Sequence, residues 1–497
     1  MRVLCIGTNS QHTDLMTRRL ANQRNEICVG LLTNTTDIVN QGFYHTSMVD
    51  ISYSNLMGLA AQFDEIVVLD QTPEQYSHKD LYYQTVVAAQ DLAVSHNVVW
   101  QNPSMKTDIG FFEQLVVDNP SFCIFPWIEL MTNNDHTVVC CRSNTPVVKL
   151  ENLKDFVTDA NYQSIRQAML EGKRLPEHCA TCYKTEALGI LSARQQETVI
   201  WANRLGLKNL TDLEKIQSPV YYEVRPSNVC NLACRMCAPS NSELVNQEYA
   251  KLKIIQQPVK YKYSNFDIVD LSQVQKLYVA GGEPLAMPDF FDFLDRCIES
   301  RYNFDFTVNT NATKLSDKFK KQLKHLPHLQ FIVSLDGFGD LNHYIRWPSN
   351  WQTTIDNVRY LVDQKHYVCF NTTVSMYNVA DLYELLAFFD QEFPGTLVHC
   401  QIAEGWTSPL NFTDSESVIE NLSQIKNLQC YQNDWSLSSF IDSIIKYFEN
   451  PNKMDPTMLE QFAKRNLLLD QNRGVDVKHY APKLWKVLEP IYNRMVI

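Results

Sequence analysis

The sequence predicts an α/β chain built around an open, partial barrel of six β/α units, with a doubly wound parallel sheet before it and helices after it. Three observations carry that prediction. Short apolar runs alternate with amphipathic stretches through residues 1–110, the same alternation returns from Tyr221 to Ile402, and after Phe412 only helical periodicity is left. A chain of 497 residues exceeds one ordinary core, and 45% hydrophobic with 20% charged residues is a globular balance, not a disordered or coiled-coil one.

In chain order, Val3–Gly7, Cys28–Leu32, Glu65–Asp70 and Val98–Trp100 read as strands, with helices over Asp14–Gln23, Leu56–Gln62 and Leu81–Ser95. That rhythm is Rossmann-like. The turn after the first strand, Gly7-Thr8-Asn9-Ser10, holds a single glycine and no glycine-rich phosphate fingerprint. It favours an interaction or substrate-presenting domain over a nucleotide-binding one. Residues 111–215 are irregular and carry five cysteines. Barrel strands follow at Tyr221–Val224, Lys276–Ala280, Asp305–Asn309, Gln330–Leu335, Val368–Val374 and Leu397–Ile402, with helical stretches such as Asp289–Ser300 and Leu382–Phe389 between them. Six strands suit a partial barrel, smaller than the closed eight-unit form. Leu437, Ile441, Ile444, Ile445 and Phe448 form one apolar helix face, and Pro482–Tyr492 reads as a last helix. The expected division is 1–110, 111–215, 216–410 and 411–497.

Charge and cysteine usage narrow the function. Lysine and arginine number 44 against 56 acids, a net charge of −12, and residues 1–110 hold 6 basic and 11 acidic side chains, or −5 of it. No basic domain stands out, which disfavours nucleic acid as a partner. Met1-Arg2-Val3-Leu4-Cys5-Ile6-Gly7 loses its apolar character too soon for an export signal. No apolar run reaches the roughly 18–20 residues that span a bilayer. The expectation is a cytoplasmic protein without a membrane partner, whose clustered cysteines are metal ligands or catalytic thiols, not disulfides. Of fourteen cysteines, eight fall between Cys123 and Cys237.

The strongest feature is Cys230-Asn231-Leu232-Ala233-Cys234-Arg235-Met236-Cys237, a C-x3-C-x2-C spacing just after the strand Tyr221–Val224. Three thiolates hold three corners of a four-iron cluster and leave the fourth iron open to a cofactor or substrate. Gly281-Gly282-Glu283-Pro284 follows 44 residues after Cys237, at the end of the next strand. A zinc knuckle would want a fourth ligand, no histidine is near in sequence, and the glycine–glutamate segment would be unexplained.

Together these segments resemble the signature of the radical S-adenosylmethionine (radical SAM) superfamily. The resemblance implies that Cys230, Cys234 and Cys237 hold a 4Fe-4S cluster and that Gly281, Gly282, Glu283 and Pro284 meet the methionine amino group of S-adenosylmethionine. It further implies that Asn309, Ser334 and Arg346 contact the ribose and carboxylate, and that Val374 and Ile402 flank the adenine. Met236 stands where many members carry an aromatic, a change that bears on adenine packing. The implied activity is reductive cleavage of S-adenosylmethionine to a 5′-deoxyadenosyl radical that abstracts hydrogen from the substrate, with electrons from a donor such as flavodoxin or ferredoxin.

A second set, Cys123, Cys140, Cys179 and Cys182, supplies four thiolates, enough to close an auxiliary 4Fe-4S cluster; Cys141 is the alternative to Cys140. The order resembles the "twitch" domain of the radical SAM group that carries it before the barrel. The resemblance covers roughly residues 120–410. Asn134-Asp135 stands where similar sequences favour Asp-Gly, and both tolerate tight turns. A structural zinc on the same sulfurs is the alternative. Cys5, Cys28, Cys297, Cys369, Cys400 and Cys430 read as core thiols.

The implied reaction is oxidative modification of a peptide or protein. Dehydrogenation or rearrangement of a small molecule (sugar, nucleoside or nucleotide) is the enzymatic alternative. A non-catalytic iron–sulfur scaffold is the other, though it needs neither the three-cysteine loop nor Gly281–Pro284. For proton transfer, Asp336 at a strand end is one candidate, and Gln401 and Glu404, after the sixth strand, are others; the competing reading of Asp336 is a turn residue next to Gly337. His343 and His399 have no motif behind them.

Overall fold

The computed structural model describes residues 111–497 apart from 144, 188–191, 260–265, 328, 450–455 and 496–497, together with the backbone of five strands within residues 1–110. The expected helices at 14–23, 56–62 and 81–95, the turn after Gly7, and the side chains of Cys5 and Cys28 lie outside the described residues. The chain forms two compact units: residues 1–129, 139–147 and 154–218 in one, and 130–138, 148–153 and 219–497 in the other.

In the first unit, β1 (Arg2–Gly7), β2 (Glu26–Leu31), β3 (Thr46–Met48), β4 (Glu65–Val68) and β5 (Val99–Gln101) make one sheet in the order β3-β2-β1-β4-β5. Every pair is parallel. The order reverses at β1, the doubly wound arrangement that the alternation predicts. The sequence reading missed β3, whose Thr46-Ser47-Met48 carries no apolar run. Two helices of this unit matter below: α1 (Pro176–Ala187) and α2 (Ala193–Arg204). The latter opens on a reciprocal cap between Ser192 and Gln195.

The second unit is organised by an eight-stranded sheet. Its strands are β6 (Glu129–Asn133), β7 (His136–Val138), β8 (Tyr221–Val224), β9 (Lys276–Val279), β10 (Asp305–Thr310), β11 (Leu329–Ser334), β12 (Val368–Val374) and β13 (Val398–Ile402). The order is β13-β12-β11-β10-β9-β8-β6-β7, so β8 to β13 follow chain order and pair in parallel. This is the partial six-unit barrel. Parallel neighbours need crossovers, and these are α3 (Glu243–Lys251), α4 (Pro288–Glu299), α5 (Asp317–Leu323), α6 (Trp351–Asp363) and α7 (Leu382–Glu392). The antiparallel hairpin β6–β7 lies beyond β8. Asn134, in its two-residue turn, takes a left-handed φ of 55°, so asparagine serves there in place of glycine. The C-terminal helices are α8 (Ser415–Ile425), α9 (Trp435–Glu449), α10 (Pro456–Arg473) and α11 (Pro482–Met495).

Alternation along the strands sorts the two faces of the barrel sheet. Phe306, Val308, Phe331, Val333 and Phe370 are fully buried. Phe370 stacks on Phe389 of α7 with ring centroids 3.9 Å apart, so this face is the one the crossover helices cover. The residues between them, Asn309, Ile332, Asn371 and Thr373, are only half-buried. Among the described residues no helix is long and apolar enough to cross a membrane.

Candidate functional site

The loop after β8 carries Cys230, Cys234 and Cys237, all half-buried. It has no regular structure, and bonds to other segments set its shape. Ala233 N–H donates to Trp347 O (2.7 Å), Arg235 N–H to Ile345 O (2.8 Å) and Glu283 N–H to Val229 O (2.8 Å). Asn311 Nδ2 donates to Asn231 Oδ1 at 2.9 Å. Burial pushes all three thiols up, Cys237 to about 12; Cys234 and Cys237 raise Cys230 further, and Cys234 raises Cys237. The Arg346 guanidinium pulls Cys234 and Cys237 back down. Thiols in this setting stay protonated and inert until a metal displaces the protons.

Gly281 and Gly282 have left-handed φ values of 79° and 52°. A Cβ on Gly282 would lie 2.1 Å from Val229 O, and one on Gly281 2.9 Å from Arg225 Cβ. Glycine alone lets the end of β9 press against the cysteine loop. Glu283 is 2% exposed. Its Oε1 accepts from Thr310 Oγ1 (2.7 Å) and Leu285 N–H (3.0 Å), and its Oε2 from Asn311 N–H (2.6 Å). Burial raises this carboxyl, and the donors work against that rise. A carboxylate accepts roughly four hydrogen bonds, so Glu283 braces β9 to β10 and keeps capacity for one more donor. Pro284, also buried, starts the turn that follows.

At the neighbouring strand ends, Ser334 Oγ donates to Asn309 Oδ1 at 3.1 Å. Asp336 is fully buried. Its Oδ2 lies 2.6 Å from Arg346 Nε, and its Oδ1 accepts from Thr373 N–H at 2.7 Å. Asp336 therefore anchors Arg346 and is not an exposed base. Met236 is half-buried. Val374 is fully buried on the same side of β12 as Phe370, while its register partner Ile402 is 40% exposed. Gln401, Glu404 and His399 are exposed, and Gln401 Nε2 donates to Thr373 Oγ1 at 3.3 Å. His343 Nδ1 donates to Ser349 O at 2.6 Å. The structure thus gathers the cysteine loop, the glycine turn, Glu283 and Arg346, pairs Asn309 with Ser334, and sets Val374 on the helix-covered face. Thr310, a partner of Glu283, has no signal of its own beyond its place in Asn309-Thr310-Asn311.

The second cysteine set lies within the first unit. Cys123 precedes the short helix Phe125–Ile128, and Cys140 follows β7; both are buried. Cys179 and Cys182, also buried, are one turn apart on α1, a spacing that puts them on one face. The Cys123 thiol is raised by burial and then by Cys179 and Cys182, and Cys140 by burial and then by Cys123, so the four are electrostatic neighbours. Cys179 is pushed up to about 11, chiefly by burial. Cys141 is exposed. Arg194 is 2% exposed, donates to Phe122 O at 2.7 Å, and lowers Cys123 and Cys179. Thr145 Oγ1 donates to Glu177 O at 2.6 Å and ties the Cys140 segment to α1. Of the remaining thiols, Cys297 and Cys400 are buried, Cys369 and Cys430 half-buried.

Among the described residues no group of three or more His, Cys, Asp and Glu side chains forms a site for a single metal ion. A four-iron cluster spreads its thiolates more widely than one ion does. Sulfur-only donor sets, three on an open loop and four buried, fit such clusters.

Residues 224–389 match the family model described as the Radical SAM superfamily, from the last residue of β8 into α7. An uncharacterized protein of Methanocaldococcus jannaschii is 25% identical over 236 residues, 43% of this chain and 79% of that protein. Among solved structures, a hexahistidine-tagged anSMEcpe with bound AdoMet is 16% identical with a TM-score of 0.34, over 46% of this chain and 60% of that one. Streptococcus suis SuiB bound to precursor peptide SuiA is 15% identical with a TM-score of 0.29, over 50% and 59%. The chain spans about three-fifths of the length of those two solved proteins.

Proposed function

From a chain whose residues 224–389 belong to the radical SAM superfamily, we infer a radical SAM enzyme that oxidatively modifies a peptide or protein. The observation that carries the chemistry is the seating of Gly282 against Val229, which joins the C-x3-C-x2-C loop and Gly281–Pro284 in one site. When bound there, a 4Fe-4S cluster and S-adenosylmethionine supply a 5′-deoxyadenosyl radical for hydrogen abstraction.

The chain's own residues bind and orient. Cys230, Cys234 and Cys237 hold three irons and leave the fourth free for the cofactor. Gly281, Gly282, Glu283 and Pro284 receive its amino group, and Arg346, held by Asp336, takes its carboxylate. Asn309 and Ser334 take the ribose, while Met236 and the exposed Ile402 pack near the adenine; Val374, on the helix-covered face, takes no part. In the first unit, Cys123, Cys140, Cys179 and Cys182 hold an auxiliary 4Fe-4S cluster, with inward-facing Cys140 chosen over exposed Cys141.

The order of these four cysteines resembles the extensions of peptide-modifying maturases, small-sugar dehydrogenases and cofactor-biosynthesis enzymes, and of these we take the peptide reading as the leading one. In that reading residues 1–110 recognise the partner, residues 111–215 carry the auxiliary cluster, residues 216–410 the radical chemistry and 411–497 a helical extension. A flavodoxin or ferredoxin supplies electrons in the cytoplasm. Anaerobic reconstitution followed by dithionite and S-adenosylmethionine tests the chemistry. About eight irons per chain and 5′-deoxyadenosine by mass spectrometry are expected. No product from iron-loaded protein would overturn the reading.

A further inference from the structure

We propose that Arg473, at the end of α10, is a positioning residue of the cluster held by Cys230, Cys234 and Cys237, and that it supplies that cluster with positive charge and one N–H. The inference rests on the radical SAM reading and adds the C-terminal extension to its machinery. Two opposed attachments support it. From the helix, Arg473 Nη2 donates to Ala233 O at 2.7 Å, just before Cys234. From the loop, Arg235, fully buried just after Cys234, donates to Asn466 Oδ1 (2.9 Å) and Asp470 Oδ1 (2.6 Å) of the same helix. Positions 466, 470 and 473 share one face of α10, so this face grips the backbone on both sides of the central cysteine.

Arg473 is built for more than a tether. Its side chain is 0% exposed, and Nε and Nη2 make a two-point pair with Glu248 of α3 at 2.9 and 2.6 Å. The guanidinium lies over the Trp347 ring, 5.2 Å from its centroid, and its buried Nη1 has no hydrogen-bond partner. A buried guanidinium nitrogen without a partner is costly in a native fold and calls for an acceptor. The sulfurs of an anionic cluster are such acceptors, and N–H groups or positive charge beside them raise the reduction potential.

The test is a redox titration followed by electron paramagnetic resonance on the reconstituted full chain, reading the signal component that changes when S-adenosylmethionine is added. R473Q should reduce at a more negative potential than wild type at equal iron content, and R473K, which keeps the charge, should restore the midpoint towards wild type. If R473Q fails to fold or load iron, E248Q/R473Q removes both charges together and leaves no lone buried ion; it should still shift the midpoint negative through loss of the N–H donor, by less than loss of the positive charge alone. An unchanged midpoint in whichever of these two loads iron, or an R473K midpoint displaced as far as theirs, overturns the proposal. A wild-type protein with no cofactor-sensitive signal contradicts the radical SAM reading itself, which separates the two failures.

Discussion

The two cysteine groups are built on opposite plans. Cys230, Cys234 and Cys237 come from one eight-residue loop and stay half-buried, and the bonds that shape their loop come from segments far along the chain: Val229 to Glu283, Ala233 to Trp347, Arg235 to Ile345. Cys123, Cys140, Cys179 and Cys182 come from three separate segments, are all buried, and are held together by Arg194 and Thr145 within their own unit. An open site cannot be stabilised by burying its ligands, so its geometry is imposed from outside. A closed site makes its ligands part of a small core. In the proposed reading, the first plan would keep an iron free for a cofactor and the second would leave none.

The contrast can be broken most severely by C230A/C234A/C237A. We expect complete loss of 5′-deoxyadenosine while about four irons per chain remain; loss of all iron, measured by iron and sulfide assay, would show that the groups are not independent. The reciprocal variant C179A/C182A should lose the other four or so irons and substrate oxidation. It should keep dithionite-driven 5′-deoxyadenosine formation.

Smaller perturbations sharpen the difference. Asp336→Asn leaves Arg346 without its buried counter-charge and should cost about 3–5 kcal/mol in urea unfolding, with weakened S-adenosylmethionine binding. Gly282→Ala drives a Cβ into Val229 O. It should cost about 1–3 kcal/mol and lower iron loading of the loop, while the first unit keeps its irons. Cys141→Ala should change neither iron content nor stability, whereas Cys140→Ala should match C179A/C182A in iron content; the reverse pattern would exchange their roles.

Much of this architecture is legible in the sequence because barrel strands buried against helices announce themselves as apolar runs. All six fall within a residue or two of their expected ends, and the cysteine spacing needs no fold to be seen. What stays hidden has physical causes. The hairpin β6–β7 is short and lies inside the irregular cysteine-rich stretch. The inner face of α10 carries Asn466, Asp470 and Arg473 among Phe462 and Leu469, so buried polar groups erase its apolar periodicity. Asp336 looks like a base at a strand end until its pairing with Arg346 is seen. Which of Cys140 and Cys141 turns inward is a matter of side-chain direction that adjacent identical residues cannot encode.

In the proposed reading, radicals are generated at the loop after β8 and Gly281–Pro284, and not at the buried four-cysteine group. Mass-spectrometric quantification of 5′-deoxyadenosine from anaerobically reconstituted wild type, C230A/C234A/C237A and C179A/C182A tests it most directly. Product is expected from the wild type and from C179A/C182A, and none from the loop variant. Product from the loop variant, or none from a wild type carrying both sets of iron, would contradict that reading.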